Sequence, residues 1–284
     1  MIKRILVALD PDPDTPVATR FAIRLAKRFD ASITGLAVVD TRNIHTNIGG
    51  GGIGGEFYGH ELWMELTEGT RKVATKLLDN FKTSVVKENL RHTAVKQEGA
   101  SFERIIEEMK YHDILVVGRD SHFFYSEPET ETETLAKIVK GGISPTLVVT
   151  DEYLDVEKVL IAFDGSAPAA RSLQGFVHLL PYGKDLDIEL LNVSAGDSSE
   201  DMDRAAVVLN QAENYLKEHR FSYITKKVKE KGTPSERILE REQQFDPDLI
   251  VLGAHSVSAI RRVTFGSTTH DMIKKTEKPL FLSP

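Results

Sequence analysis

Residues 3–10 read KRILVALD, and residues 157–164 read EKVLIAFD. Each has a charged entry, a run of apolar residues and a terminal aspartate, the pattern of a buried strand that ends in a turn. Asp10 and Asp164 are as far apart as Val39, at the end of GLAVV, and Val193, at the end of ELLNV. An equal separation at two strands marks an internal repeat. Further on, VKQEGASFERIIEE from Val95 matches VKEKGTPSERILER from Val228, and DILVVG ending at Gly118 matches DLIVLG ending at Gly253. These separations are shorter by about 20 residues, so the first half carries extra chain between its second and third strands. That extra chain includes the glycine-rich run from Gly49 to Gly59. Each half closes on an apolar run after proline, PTLVVT from Pro145 and PLFLSP from Pro279. The boundary falls in the acidic, polar stretch from Thr150 to Val156, which gives two domains, 1–150 and 156–284.

Within each half, strand-like runs alternate with segments of helical period, which predicts an α/β fold with a parallel sheet covered by helices. Ile5 to Leu9, Ile33 to Val39, Ile114 to Val117 and Leu147 to Val149 are the apolar or β-prone runs of strands covered on both faces. After Asp10, Thr15 and Pro16 precede Val17, Phe21, Ala22, Leu25, Ala26 and Phe29, spaced along one face of a helix with proline in its first turn. Ser166 and Pro168 ahead of Leu173, Phe176 and Val177 repeat that arrangement. Thr233-Pro-Ser-Glu236 has the spacing of a capping box. The last strands, Thr146 to Val149 and Leu280 to Leu282, would be sheet edges in isolated halves and are expected to pair, making one chain resemble a dimer.

The 284 residues suffice for two ordinary domains, and 40% hydrophobic with 28% charged residues is the composition of a globular chain. A formal charge of -7 argues against a nucleic-acid partner, which calls for clustered Lys and Arg. With no Cys there is no disulfide, thiolate nucleophile or thiolate metal site. No apolar run approaches the roughly 20 residues of a membrane span, and the amino-terminal residues lack the pattern of a signal peptide. A cytoplasmic protein is expected.

The sharpest candidate for chemistry follows the fourth strand of the second half, LIVLGAHSVSAIRRVTFGSTTHDMI, where Gly253, Ser256, Gly266 and Ser267 share one loop that runs into a helix. Small residues there let backbone N–H groups approach an anion, and Gly266-Ser267-Thr268 would set a helix N-terminus and two hydroxyls against phosphate. In doubly wound sheets ligands bind at the carboxyl ends of the strands, where Asp164 and this loop would both lie. For Asp164 capping of the next helix competes with ligand contact, and ligand contact is preferred; for Asp10 capping is preferred. His255, inside the loop, is either a phosphate contact or a solvent-facing residue, and so are Arg261 and Arg262.

In these motifs the chain resembles a tandem member of the universal stress protein family, over essentially all of both halves. Nucleotide-binding members carry G-x-x-G, nine residues, then G-S or G-T; here Gly253-x-x-Ser256, nine residues and Gly266-Ser267 keep the spacing and replace the second glycine by serine. The resemblance implies two doubly wound five-stranded parallel sheets, Rossmann-like, of strand order 3-2-1-4-5. It also implies that Asp164 lies near ribose or adenine and that backbone at Val193 reads adenine. Ala162 and Leu252, beside Asp164 and Gly253 in sequence, complete a binding set with Val193, His255, Ser256, Gly266, Ser267 and Thr268. The implied ligand is ATP, ADP or AMP, with magnesium as a candidate companion.

After Gly118 the first half reads RDSHFFYSEPETETETLAKI, with no Gly-Ser pair and with Glu127, Glu129, Glu131 and Glu133 in that loop. Those carboxylates would repel a triphosphate, or form a merely solvated loop; either way this half is expected to be silent. The G-x-G-x-x-G from Gly49 to Gly54 follows the second strand instead of the first, so a lid or linker is preferred to a dinucleotide site. No Walker A, nucleophile elbow or H-E-x-x-H sequence occurs. The expected function is a stress-associated regulator that binds an adenine nucleotide in its second half and changes its surface or assembly accordingly, with an unidentified protein partner. Two rivals stand beside it, a slow ATPase or self-phosphorylating protein using Ser267 or Thr268, and a small-molecule or partner-binding module without nucleotide. A homodimer is left open.

Overall fold

The structure, a computed structural model, describes all residues except 12–13, 42–54, 120–130, 151, 154, 180, 195, 197, 230–231 and 255–266. By its contacts the chain divides into two compact units, Ile2–Ile138 and Val139–Pro284, the second of which includes Met1.

In the first unit β1 (Arg4–Leu9), α1 (Asp14–Phe29), β2 (Ser32–Val39), α2 (Gly55–Val86), β3 (His92–Glu98), α3 (Ser101–Met109) and β4 (Ile114–Gly118) alternate, and α4 (Glu131–Gly141) follows across the division. The strands run parallel in the order β3-β2-β1-β4. Helix α1 forms where its spacing predicts, and Phe21, Ala22, Leu25 and Ala26 are buried on one face. Helix α2 can reach the sheet because β2 contains Gly35: a Cβ there would lie 2.6 Å from the Phe81 ring.

The second unit contains β5 (Thr146–Val149), β6 (Lys158–Ala162), α5 (Ala167–Leu179), β7 (Asp187–Val193), α6 (Ser199–Glu218), β8 (Tyr223–Lys229), α7 (Pro234–Phe245), β9 (Leu249–Gly253), α8 (Ser267–Lys275) and β10 (Leu280–Ser283). Its parallel strands follow the order β8-β7-β6-β9-β10, the expected 3-2-1-4-5. Strand β5, the last of the first repeat, lies in this unit and pairs antiparallel with β10, Leu147 opposite Phe281. This is the expected pairing of the two closing strands.

Register corrects one sequence equivalence. Arg4 faces Ser32, whereas Lys158 faces Asp187, so the repeat is one residue longer at the second strand, and Val193 corresponds to Val38, not Val39. On this alignment Thr34 and Glu189 occupy the same buried place. Thr34 Oγ1 meets His112 Nε2 at 2.9 Å, while His112 Nδ1 lies 2.6 Å from the Glu108 carbonyl. Burial holds the His112 imidazole below its usual range, so it is neutral at pH 7 and spends both nitrogens on hydrogen bonds. Glu189, 2% exposed, is instead held by Arg241 of α7, whose Nη2 donates to Oε2 at 2.7 Å. Glu242, on the same helix, accepts from the Thr276 hydroxyl at 2.8 Å and the Glu277 N–H at 3.2 Å. Burial raises its carboxyl above the usual range.

Local expectations differ at three places. Thr233 is the N-cap of α7 with Pro234 behind it, but its side chain makes no capping hydrogen bond, so the capping box is present in sequence only. Gly55 to Gly59, read as part of a lid or linker, begin α2, while residues 49–54 lie outside the described residues. Glu131 and Glu133, read as loop, fall within α4; Glu127 and Glu129 lie outside the described residues.

Candidate functional site

A cavity of about 150 Å³ lies at the carboxyl ends of β6, β7 and β9, reached by Ala162, Leu191, Val193, Leu252 and Gly253. Three helices begin on it: α5 through Ser166 and Ala169, α7 through Pro234 and Ile238, and α8 through Ser267, Thr268 and Thr269. A helix N-terminus carries unsatisfied N–H groups and a partial positive charge, so three of them around one space favour an anion. The volume is below the roughly 300–1,000 Å³ of most small-molecule sites. Residues 255–266, next in the chain after its wall, lie outside the described residues.

The turn after β6 is fixed by its own side chains. The Ser166 N–H donates to Asp164 Oδ1 at 2.9 Å, which closes an Asx-turn, and Gly165 between them takes φ +79°, a left-handed conformation that favours glycine. Asp164 thus shapes the turn ahead of α5 while Ser166 Oγ accepts from the helical Ala169 N–H at 3.4 Å, and Asp164 also lines the cavity, exposed to solvent. Gly253 has a structural reason to be glycine: a Cβ would lie 2.6 Å from the Ala169 nitrogen and 2.7 Å from the Pro168 carbonyl carbon. Its missing side chain lets the start of α5 press against β9. Two helical hydroxyls hold the strand end. Thr269 Oγ1 donates to the Gly253 carbonyl at 3.1 Å, and Ser172 Oγ to that of Leu252 at 2.9 Å. Ser235, next to Pro234, donates to Asp271 Oδ2 at 2.8 Å and so ties the start of α7 to α8.

Of the residues expected from sequence, Ala162, Asp164, Val193, Leu252, Gly253, Ser267 and Thr268 come together on this cavity. His255, Ser256 and Gly266, with Arg261 and Arg262, lie outside the described residues. Sequence reasoning did not put Phe163, Ser166, Ala169, Leu191, Pro234, Ile238 or Thr269 in the site. Ser166, Pro234 and Ile238 carried a signal as helix starts; that these starts converge follows from strand order. Among the described residues no group of three His, Asp or Glu side chains is placed to hold a metal ion, and no helix is long and apolar enough to cross a membrane.

The corresponding corner of the first unit is built from buried carboxylates. Asp10 is 0% exposed, and its N–H donates to Thr15 Oγ1 at 2.9 Å. Asp40, 4% exposed and just past β2, accepts from the Ser101 N–H at 3.1 Å and hydroxyl at 2.9 Å. The start of α3 is thereby capped by a carboxylate of its own chain.

The sequence profile of the Universal stress protein family matches residues 1–122 and 155–284. The chain belongs to the universal stress protein family. A universal stress protein of Synechocystis sp. is 25% identical over 98% of this chain and 99% of its own length. The same fold occurs in a universal stress protein from Archaeoglobus fulgidus, with a TM-score of 0.71 at 15% identity over 99% of this chain and 95% of that one. Another, described as a putative universal stress protein from Pseudomonas aeruginosa, gives a TM-score of 0.64 at 16% identity over 99% and 93%. Tandem universal stress domains thus extend through both halves of the chain.

Proposed function

We propose that this universal stress protein is a cytoplasmic regulator that binds one adenine nucleotide, ATP, ADP or AMP, in its second repeat and transmits the bound state to a protein partner. The repeats are taken as residues 1–150 and 156–284. The observation that carries the reading is the convergence of three helix N-termini on a cavity at the strand ends, with two hydroxyl residues, Ser267 and Thr268, at the start of α8. Phosphate would sit against Ser267 and Thr268 and against the adjoining Gly266. The apolar side of the cavity, with Leu191, Val193 and Ile238, suits the base and sugar, and Asp164 suits a ribose hydroxyl. Magnesium, where present, would be held chiefly by the phosphates, since the described cavity offers Asp164 as its one carboxylate.

Native mass spectrometry of freshly purified protein, followed by heat release, tests this directly. Recovery of an adenine nucleotide, at up to one per chain, is the expected result. Protein that neither carries nor takes up ATP, ADP or AMP would replace the reading by a module for another small molecule or a protein partner.

A further inference from the structure

Strand β6 leaves the sheet one residue earlier than its counterpart β1, and one buried side chain marks the difference. Leu9, the last residue of β1, lies in register with Ala37, whereas β6 ends at Ala162, in register with Leu191. Past Ala162 the Phe163 N–H still donates to the Leu191 carbonyl at 2.8 Å. The Phe163 carbonyl, to which a continuing parallel ladder would bring a backbone N–H of β7, accepts instead from Asn192 Nδ2 at 2.8 Å. Asn192 is buried, and its counterpart in the first repeat is Ala37, which has no amide to offer. The aspartate that follows differs in step: Asp10 is fully buried, while Asp164 is exposed on the cavity. We propose that Asn192 is a positioning residue of the nucleotide site, which takes the chain out of the ladder at Phe163 and turns the Asp164 carboxylate onto the cavity. The assignment rests on the nucleotide reading of the second repeat.

A short run of bonds links the amide to the carboxylate. Asn192 fixes the Phe163 carbonyl, and with it the rigid peptide plane that leads into Asp164. Gly165, at φ +79°, then reverses the chain, and the Ser166 N–H closes the turn on Asp164 Oδ1 at 2.9 Å. The carboxylate is thereby oriented before a ligand arrives, which lowers the ordering cost of binding. Asn192 sits on β7 between Leu191 and Val193, both of which line the cavity, and the alternation of a strand sends its side chain to the other face. It therefore acts through Asp164 and does not touch the ligand. Without the amide the Phe163 carbonyl is left buried and unpaired, a cost that the chain relieves by shifting the turn.

The test compares ATP with dideoxy-ATP, which lacks both ribose hydroxyls, by calorimetry on the full chain carrying Asn192→Ala. ATP affinity should fall about tenfold, as for loss of a hydrogen bond to a charged group, with dideoxy-ATP changed by less than about twofold. Asn192→Ala combined with Asp164→Asn should bind ATP no more weakly than Asp164→Asn alone, because the two act through one contact. Asn192→Leu, which keeps the volume and removes the donor, should behave as Asn192→Ala; circular dichroism and melting establish that both are folded. In ligand-free protein, amide hydrogen exchange at Ser166 should quicken at least about tenfold, while Ile161 and Leu190, inside the ladder, keep their protection. Equal losses for the two nucleotides, additive losses in the double variant, or unchanged exchange at Ser166 in a folded variant would overturn the assignment. Failure of the unsubstituted chain to bind ATP would overturn the nucleotide reading, whereas exchange at Ser166 reports on Asn192 without any ligand.

Discussion

The two repeats share a strand order as far as their fourth strands and differ in what fills the corner above the strand ends. In the second, Asp164 is exposed on a cavity onto which α5, α7 and α8 open. In the first, Asp10 is fully buried and Asp40 already supplies a carboxylate to Ser101 at the start of α3. A carboxylate of the chain itself thus meets the start of α3, the counterpart of α7 in the second repeat. The sheet and its helices, which form the core, are common to both repeats, and this difference lies in the corner above the strand ends.

The largest effect on binding expected from this contrast is loss of nucleotide affinity in Gly266→Glu. The substitution adds a carboxylate directly before the start of α8, and calorimetry should show affinity for ATP reduced at least about a hundredfold, or some 2.7 kcal/mol. Next comes the buried pair that replaces the Thr34–His112 bond of the first repeat. Arg241→Met strands Glu189 and should cost about 3–5 kcal/mol in chemical denaturation. A stability change under about 1 kcal/mol would mean that Glu189 is solvated or protonated without cost. Gly253→Ala forces a Cβ against the backbone of α5 and should destabilise by about 1–3 kcal/mol, with nucleotide affinity falling as well, because α5 forms one wall of the cavity. Asp164→Asn should weaken nucleotide binding by about tenfold, while Asp10→Asn should leave it unchanged; equal effects of the two would erase the asymmetry between the repeats.

The smallest effect is a pH dependence that separates the units. His112 in the folded chain lies below its usual 6.5, so in the window beneath that value the unfolded chain takes up the proton first. Stability of the first unit therefore rises with pH through this window and falls on acidification. Glu242 acts in the opposite sense: its carboxyl is raised above the usual 4.5, so its contribution is present at lower pH and is lost as pH rises past that value. Thermal melts between pH 5 and 7 should show His112→Gln flattening the acid-side decline by a few degrees at most.

Much of this was legible because burial leaves a simple imprint. Strands covered on both faces read as apolar runs, α1 shows its buried face by spacing, and the two closing strands announce themselves as edges to be paired. The loop spacing from Gly253 to Gly266 pointed to the second repeat, whose described residues line a cavity at the strand ends. Other features are tertiary and leave no local trace. Asp40 capping α3, and Arg241 reaching Glu189, join residues far apart in sequence. Gly253 was read as an anion-approach residue, yet its bare Cα is needed by α5, because the close partner lies on another element. The register slip that moves Val193 onto Val38 is invisible to an ungapped match of short apolar runs.

The central claim, one working nucleotide site per chain, is tested most directly by isothermal titration of the ligand-free full chain with ATP at fixed magnesium. The account predicts a single class of sites with a stoichiometry of one per chain. Two equivalent sites per chain would contradict it.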